Sequence, residues 1–362
     1  MNSSWIEINV KAVRNNINQI KQRMPDKFFA GIVKSNAYGH GLVPMAKYIE
    51  NEVDYLAVGV EEEGIELRKS GVKAPILVLG PYFNEEHVID YHLTPTVDTI
   101  EKLKKLNEAA EKKNAGQYPF HLKINIALNR FGLDEKDLNP FLETYQTLHS
   151  VKMEGVYSHF AANRHAEKIT FQSDRLKQCV EIITKIYGIH PAYVHMANSA
   201  IAVKYPELGF NMIRIGNAMF GQAASRNGLR FEETFELKTP LLETREIKKG
   251  STVGYGDTKP LNENMTVGLI PLGEAHGFNF ARENQSSTSK KLAVNILRSV
   301  RSYVRPPAKI FWGEEPVDVV GKPSSQFSLI DVTGKAISEG DALTARVSIM
   351  NAQESIERKY IE

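Results

Sequence analysis

The residues whose types and spacing bear on chemistry begin with Lys34. It closes an apolar run, Phe28–Lys34, and is followed by Ser35-Asn36-Ala37-Tyr38-Gly39-His40-Gly41. An amine at the end of a buried strand is costly to keep charged, because desolvation favours its neutral form. A neutral amine is the nucleophile that forms a Schiff base with an aldehyde. A lone lysine reads more simply as a rim residue, but Gly39 and Gly41 let backbone approach a ligand closely. Further polar groups recur in the same relation to apolar runs. Lys123 lies in His121–Ile126, which leads into Asn129-Arg130-Phe131-Gly132. His159 closes Met153–His159. His195 lies in Ala192–Ala197, ahead of Asn198-Ser199, and Arg214 lies in Met212–Ile215, ahead of Gly216-Asn217.

The elements that must position these groups follow from the pattern of apolar residues. Phe28–Lys34, Tyr55–Val60, Pro75–Leu79, Leu93–Val97, His121–Ile126, Met153–His159, Ala192–Ala197 and Met212–Ile215 read as short strands. Between them, stretches such as Ile100–Lys113 and Lys168–Tyr187 carry apolar residues at helical spacing. Eight strands alternating with helices predict an α/β fold, a (β/α)₈ TIM-type barrel, assigned to residues 1–228. Residues 229–362 change texture: Phe235–Thr239, Met265–Pro271, Val317–Val320, Phe327–Val332 and Leu343–Ile349 read as strands of a mainly β domain. Helical period returns only around Leu292–Tyr303, and Glu283–Lys291 reads as a loop.

A barrel of this kind carries its active site at the C-terminal ends of its strands. Lys34, Lys123, Arg130, His159, His195 and Arg214 all fall there. The loops after strands seven and eight are the usual phosphate site of such a barrel. Ser199 offers a hydroxyl at a helix start, and Gly216-Asn217 offers backbone N–H groups. Serine at a helix start is commonplace, so the signal is the combination.

The bulk properties bound the rest. A chain of 362 residues exceeds the usual single domain. Its 42% hydrophobic and 24% charged residues are ordinary for a globular protein. A net charge of +2 argues against a nucleic-acid partner, and the cluster Arg298, Arg301, Arg305 reads as a solvated face. Cys179 is the single cysteine, so no internal disulfide forms. No basic stretch precedes an apolar run and none approaches a membrane span, so a soluble cytoplasmic protein with no membrane partner is expected. His40, His165 and His276 show no metal-ligand spacing, and no metal is expected.

Val33-Lys34-Ser35-Asn36-Ala37-Tyr38-Gly39-His40-Gly41 resembles the cofactor-lysine signature of alanine racemases. The similarity runs through Lys123 to Gly132, His159-Phe160-Ala161, His195 to Ala200, Arg214 to Gly221 and Gly250 to Thr258. The resemblance implies a barrel followed by a β domain, a head-to-tail homodimer, pyridoxal 5′-phosphate as cofactor, and a small amino acid as substrate. It implies that Lys34 binds the cofactor covalently and is one catalytic base. Tyr255, from the partner subunit, is the other. It places Tyr38, His159, Asn198, Ser199, Arg214, Gly216 and Asn217 around the cofactor, with Arg214 on the ring nitrogen and His195 orienting it. Arg130 and Ser325 are implied at the substrate, and Lys123, carbamylated in some members, behind Arg130. Asn125 stands where the family often has aspartate. Without its flanking glycines, Tyr255 reads as a packed strand aromatic, and His159 reads as a rim residue rather than a proton carrier.

The smaller domain departs from that pattern. Gly273-Glu274-Ala275-His276-Gly277 replaces Gly-Tyr-Ala-Asp-Gly, and Ser324-Ser325-Gln326-Phe327 replaces Cys-Met-Asp-Gln. In the family these positions line the access corridor and the substrate pocket. The implied bases Lys34 and Tyr255 are retained, so racemisation is the expected reaction, with alanine as the first expectation for its substrate. Serine or a basic amino acid as substrate, a decarboxylase of the same fold, and a non-catalytic cofactor carrier all stay open.

Overall fold

A computed structural model describes residues 3–161, 165–208, 210–224, 227–254, 260–278 and 310–362. The chain divides into two compact units: Asn9–Thr234, and Met1–Ile8 together with Phe235–Ile361.

The first strand, β1 (Trp5–Asn9), pairs antiparallel with Phe235–Pro240 and so joins the smaller unit. The larger unit opens with α1 (Val10–Arg23), whose first turn is capped by Asn9 Oδ1 accepting from Ala12 N–H at 2.8 Å. Its buried Val10, Val13, Ile17 and Ile20 recur every three or four residues, the spacing of one helix face. Then come β2 (Phe28–Ile32), α2 (Lys34–Tyr38), α3 (Leu42–Ile49), β3 (Tyr55–Val58), α4 (Glu61–Lys69), β4 (Ile76–Val78), α5 (Glu85–Asp90), β5 (Thr96–Val97), α6 (Ile100–Lys112) and β6 (Tyr118–Asn125). The unit is completed by a short β7 (Leu133–Asp134) beside β6, α7 (Leu138–Gln146), β8 (Val151–Tyr157), α8 (Ala166–Glu181), β9 (Tyr193–Asn198), α9 (Ser199–Lys204) and β10 (Met212–Ile215).

Parallel pairing runs β4-β3-β2-β10-β9-β8-β6-β5. The remaining seam is bridged where Val78 N–H donates to Thr94 O at 2.9 Å and Thr94 N–H to Ile76 O at 2.8 Å. The result is the eight-stranded barrel expected from the alternation. Every residue of β3 and β4 is buried, as parallel strands covered on both faces require.

Two strand ends are corrected. The run Phe28–Lys34 stops pairing at Ile32, and Lys34 opens the turn α2. The run Met153–His159 is a strand only over Val151–Tyr157, so His159 lies on the loop beyond it. Both groups still sit just past C-terminal strand ends, where a barrel carries its chemistry.

The smaller unit continues with β11 (Phe235–Pro240), β12 (Glu243–Ile247), β13 (Met265–Ile270), β14 (Ile310–Trp312), β15 (Glu315–Val317), β16 (Val319–Val320), β17 (Ser328–Asp331), β18 (Ala342–Ala345) and β19 (Glu357–Ile361). They form sheets ordered β15-β14-β18-β11-β1-β19 and β12-β13-β17-β16. The run Val317–Val320 is thus two strands rather than one. Tyr255, Glu283–Lys291, Leu292–Tyr303, Arg298, Arg301 and Arg305 lie outside the described residues. Among the described residues no helix is long and apolar enough to cross a membrane.

Ile6 and Ile8 of β1 are both fully buried. Ile6→Ala is expected to cost about 2–5 kcal/mol in urea denaturation, the usual loss for a large-to-small change in a packed core. A cost near that of an exposed substitution would mean that β1 is not part of the core of the smaller unit.

Candidate active site

Lys34 begins one turn of left-handed helix. Ser35, Asn36 and Ala37 have φ of 54°, 54° and 49° with ψ near their φ values, and Tyr38 has φ of 55°. Each L-residue so placed costs roughly 1–2 kcal/mol relative to right-handed helix, so the turn must be held by its surroundings. Glu63 does part of this: Oε1 accepts from Ser35 N–H at 2.5 Å and Oε2 from Gly59 N–H at 2.7 Å. Asn36 Oδ1 accepts from Leu42 N–H at 2.7 Å, and Ala37 N–H donates to Val33 O at 2.7 Å. His40 is buried, bonded to Ala37 O and Thr234 Oγ1, and stacked on Phe220. Its role is to hold the turn.

The Lys34 amine is pushed below its ordinary value, first by burial and then by the charge of Arg130, with Glu63 opposing. Lys123 on β6 is pulled down to about 7 by burial and by the charges of Arg130 and Arg214. Its ammonium nitrogen lies 3.1 Å from the centre of the Phe131 ring. Arg130 is exposed, with its guanidinium 5.2 Å from the same ring. Among the described residues no carboxylate forms an ion pair with Lys34, Lys123, Arg130 or Arg214. The mouth of the barrel therefore carries an excess of positive charge and two amines whose hold on their protons is weakened.

Arg214 on β10 is buried, and burial pulls it down to about 10. Its Nη1 donates to His195 Nδ1 at 2.7 Å. Its Nη2 donates to His159 Nδ1 at 3.0 Å, Ser158 O at 2.9 Å and Met196 O at 3.3 Å. A guanidinium can only donate, so both histidines present a lone pair on Nδ1 and carry their proton on Nε2. Burial and the surrounding cations push His159 down to about 3, so it is neutral through the physiological range. It lies on the loop beyond β8, hydrogen-bonded to Arg214.

Asn198 and Ser199 divide two tasks. Asn198 Oδ1 caps α9, accepting from Ile201 N–H at 3.2 Å. Ser199 Oγ accepts from Gly216 N–H at 3.0 Å and Ala218 N–H at 3.3 Å, tying the two loops together. A Cβ on Gly216 would stand 2.4 Å from the Tyr38 hydroxyl oxygen, so only glycine allows Tyr38 to lie against this loop. Asn217 is exposed beside it. Burial raises the Tyr38 phenol to about 12.

Lys34, Tyr38, Lys123, His159, His195, Asn198, Ser199, Arg214, Gly216 and Asn217 thus meet in one unit, with Arg130 close enough to perturb Lys34. Ser325 belongs to the smaller unit, exposed, with its carbonyl accepting from Ala275 N–H at 2.9 Å. Glu63 was not legible as a site residue, because it lies in the acidic run Glu61–Glu63 that reads as a solvated helix start. Tyr157 was also missed. Its ring stacks on His195 with centroids 4.7 Å apart, and its hydroxyl donates to Leu79 O at 3.0 Å. The alternation of β8 could have placed it, since Gly155 and Tyr157 share one face of that strand.

Comparison with known proteins agrees with this geometry. The descriptor "Alanine racemase, N-terminal domain" matches residues 8–224, and "Alanine racemase, C-terminal domain" matches 234–359. The alanine racemase of Halothermothrix orenii is 31% identical, covering 78% of this chain and 76% of that one. That of Methanococcus maripaludis is 28% identical over 94% of this chain and 88% of that one. The solved alanine racemase of Clostridium difficile 630 superposes with a TM-score of 0.86 at 27% identity, covering 99% of this chain and 96% of that one.

A lysine whose folded value is about 7 instead of 10.5 makes the folded state bind fewer protons than the unfolded chain between those values. Stability then rises with pH across that window. In carbonate-free buffer, Lys123→Met is expected to stabilise the protein by on the order of 1 kcal/mol at pH 7 and by little at about pH 10. Urea titrations at both values check it; equal gains at both would assign the effect to packing rather than to charge.

Proposed function

The chain belongs to the alanine racemase family, and from that premise we propose that it interconverts L- and D-alanine with pyridoxal 5′-phosphate held at Lys34. The observation that carries this reading is the Lys34 amine at the C-terminal rim of the barrel, depressed by burial and by Arg130 against the opposing charge of Glu63, with no ion pair to a carboxylate among the described residues. The site fits the cofactor. Lys34 offers a nucleophilic nitrogen for its aldehyde, and Arg214 offers donors held by neutral acceptors only. Tyr38 lies against Gly216, and Asn198, Ser199 and Asn217 stand on the same two loops, which would receive the cofactor's phosphate.

When bound, pyridoxal phosphate spreads the negative charge left at the substrate Cα. Inverting that carbon requires a proton carrier on each face. Lys34 takes or returns the proton on one face, and its lowered affinity for protons favours that exchange. Tyr255, contributed by a second copy of the chain, serves the other face. An ordinary tyrosine titrates near ~10, so a cationic surrounding such as this one favours the phenolate it needs. Arg130 receives the substrate carboxylate. His159, neutral at working pH, holds Arg214 without adding charge. Lys123, as a neutral amine, is the form that adds carbon dioxide, and the carbamate would set an anion among the cations. A homodimer, acting in the cytoplasm, completes the reading.

A second reading rests on the smaller unit. There a cavity of about 280 Å³ is lined by Ser3, Ser4, His276, Gln326 and Glu357 among others. Glu274 and Gln326, which stand at changed positions of this unit, add polar groups and favour a larger or polar amino acid as substrate in place of alanine.

Both readings meet one experiment. In deuterated water with pyridoxal phosphate, Cα exchange is expected from L- and D-alanine alike. Tyr255→Phe is expected to lose about 10²–10⁴-fold in the exchange of one enantiomer and much less in the other. Lys34→Ala loses both. Exchange with serine or a basic amino acid but not alanine would move the substrate, and carbon dioxide release without exchange would make the enzyme a decarboxylase. No exchange with any amino acid, despite cofactor bound at Lys34, would leave a carrier.

A further inference from the structure

Arg214 stands at the head of a file of side chains running along the inside of the barrel. Its Nη1 donates to His195 Nδ1 at 2.7 Å, which leaves the His195 proton on Nε2. His195 Nε2 is 2.9 Å from His121 Nδ1 and donates to it. His121 then carries its own proton on Nε2, which is buried, has no hydrogen-bond partner among the described residues, and stands 3.8 Å from Glu154 Oε2. Glu154 Oε2 also accepts from the Tyr55 hydroxyl at 2.5 Å. Every proton in the file points away from the cation and toward the carboxylate.

The barrel interior makes room for this arrangement and grips it. Both imidazoles are fully buried. Tyr157 stacks on His195 at 3° between planes, and Tyr193 stacks on His121 at 28°. A Cβ at Gly155 would fall 2.6 Å from the His121 ring, so the strand carries glycine opposite it. Burial holds both rings neutral. Two neutral histidines in a core are costly unless their polar atoms are engaged, and apolar side chains would fill the space at less cost. The file therefore serves something at one of its ends.

We infer that His121 and Glu154 are positioning residues for Arg214: with His195 they form a file of fixed direction, hydrogen-bonded from the guanidinium to His121 and faced at its far end by the Glu154 carboxylate at 3.8 Å, that holds the arginine in place. The negative end polarises each ring so that the Nδ1 facing the cation is the better acceptor. This rests on the reading that Arg214 meets the cofactor, and it extends that reading to the far side of the barrel.

The test uses protein with ¹⁵N-labelled histidine, first without cofactor. His195 and His121 are each expected to show one protonated and one unprotonated ring nitrogen, unchanged between about pH 6 and pH 9. His121→Leu removes the acceptor below His195, which should then lose its single tautomer. His121→Asn, whose side-chain oxygen can accept, should restore it. Glu154→Gln keeps size and removes the charge, so the His195 Nδ1 resonance should move toward that of a free imidazole. Loaded with pyridoxal phosphate, His121→Leu should change the visible circular dichroism of the cofactor and lower kcat about tenfold with KM nearly unchanged, the scale for groups that orient a ligand from behind. His195 resonances unaffected by both His121→Leu and Glu154→Gln, with only Tm lowered, would reduce the file to packing and overturn the inference. Altered His195 resonances with an unaltered cofactor spectrum would instead overturn the contact between Arg214 and the cofactor.

Discussion

A guanidinium taken out of water without a counter-ion is the constraint on which this site depends. Arg214 is 4% exposed, and the groups it touches are two imidazoles and two carbonyls, all neutral. Removing a charge from water is expensive and is tolerated only where hydrogen bonds replace the lost hydration. Those bonds fix which nitrogen of His159 and His195 is protonated, and the fixed rings in turn fix the strands that carry them. Burial first, then the charge of Arg130, lowers the proton affinity of Lys34 and Lys123, and the charge of Arg214 adds to both effects. Burial and two cations together thus loosen the protons of two amines at a site that attracts anions.

Neutral amines alone would not make an active site unless they were aimed. The aim of Lys34 comes from the left-handed turn behind it, a conformation that L-residues avoid. Strain of this sort persists only where the surroundings over-determine it, and it gathers at functional sites. Here the surroundings are Glu63 from α4, Asn36 within the turn, and the buried His40 stacked on Phe220. The carboxylate of Glu63 has two effects at once, holding backbone N–H groups and partly opposing the loss of charge at Lys34.

Much of the barrel was legible in the sequence because apolar runs buried on both faces leave a plain signal, as at Tyr55–Val58 and Ile76–Val78. The polar residues at strand ends were legible for the same reason: they interrupt that signal at regular places. What was not legible has physical causes. β1 alternates over only five positions, β19 reads Glu-Arg-Lys-Tyr-Ile with no alternation, and the two pair across nearly the whole length of the chain, so neither declares its partner. β12 is polar and mostly exposed, and its pairing with β13 is carried by backbone bonds that side chains do not announce. The left-handed turn contradicts the local preference of Ser35, Asn36 and Ala37, and only Gly39 hinted at unusual backbone. Glu154 was invisible because a lone glutamate in a strand, Lys152-Met153-Glu154, reads as the solvent side of an alternation. It points instead to Tyr55 and His121.

The placement of β1 has a consequence for how the protein is made. On the ribosome Trp5–Asn9 emerges long before its neighbours β11 and β19, which begin at Phe235 and Glu357. At about 5–20 residues per second, the strand waits on the order of ten seconds or longer before either neighbour exists. Throughout that interval the residues from Asn9 to Thr234 can form their own compact unit, while Ile6 and Ile8 have no sheet to enter. A nascent strand with open edges is a template for pairing with other chains. The order of synthesis therefore leaves Ile6 and Ile8, fully enclosed in the finished protein, in need of a chaperone until their neighbours arrive.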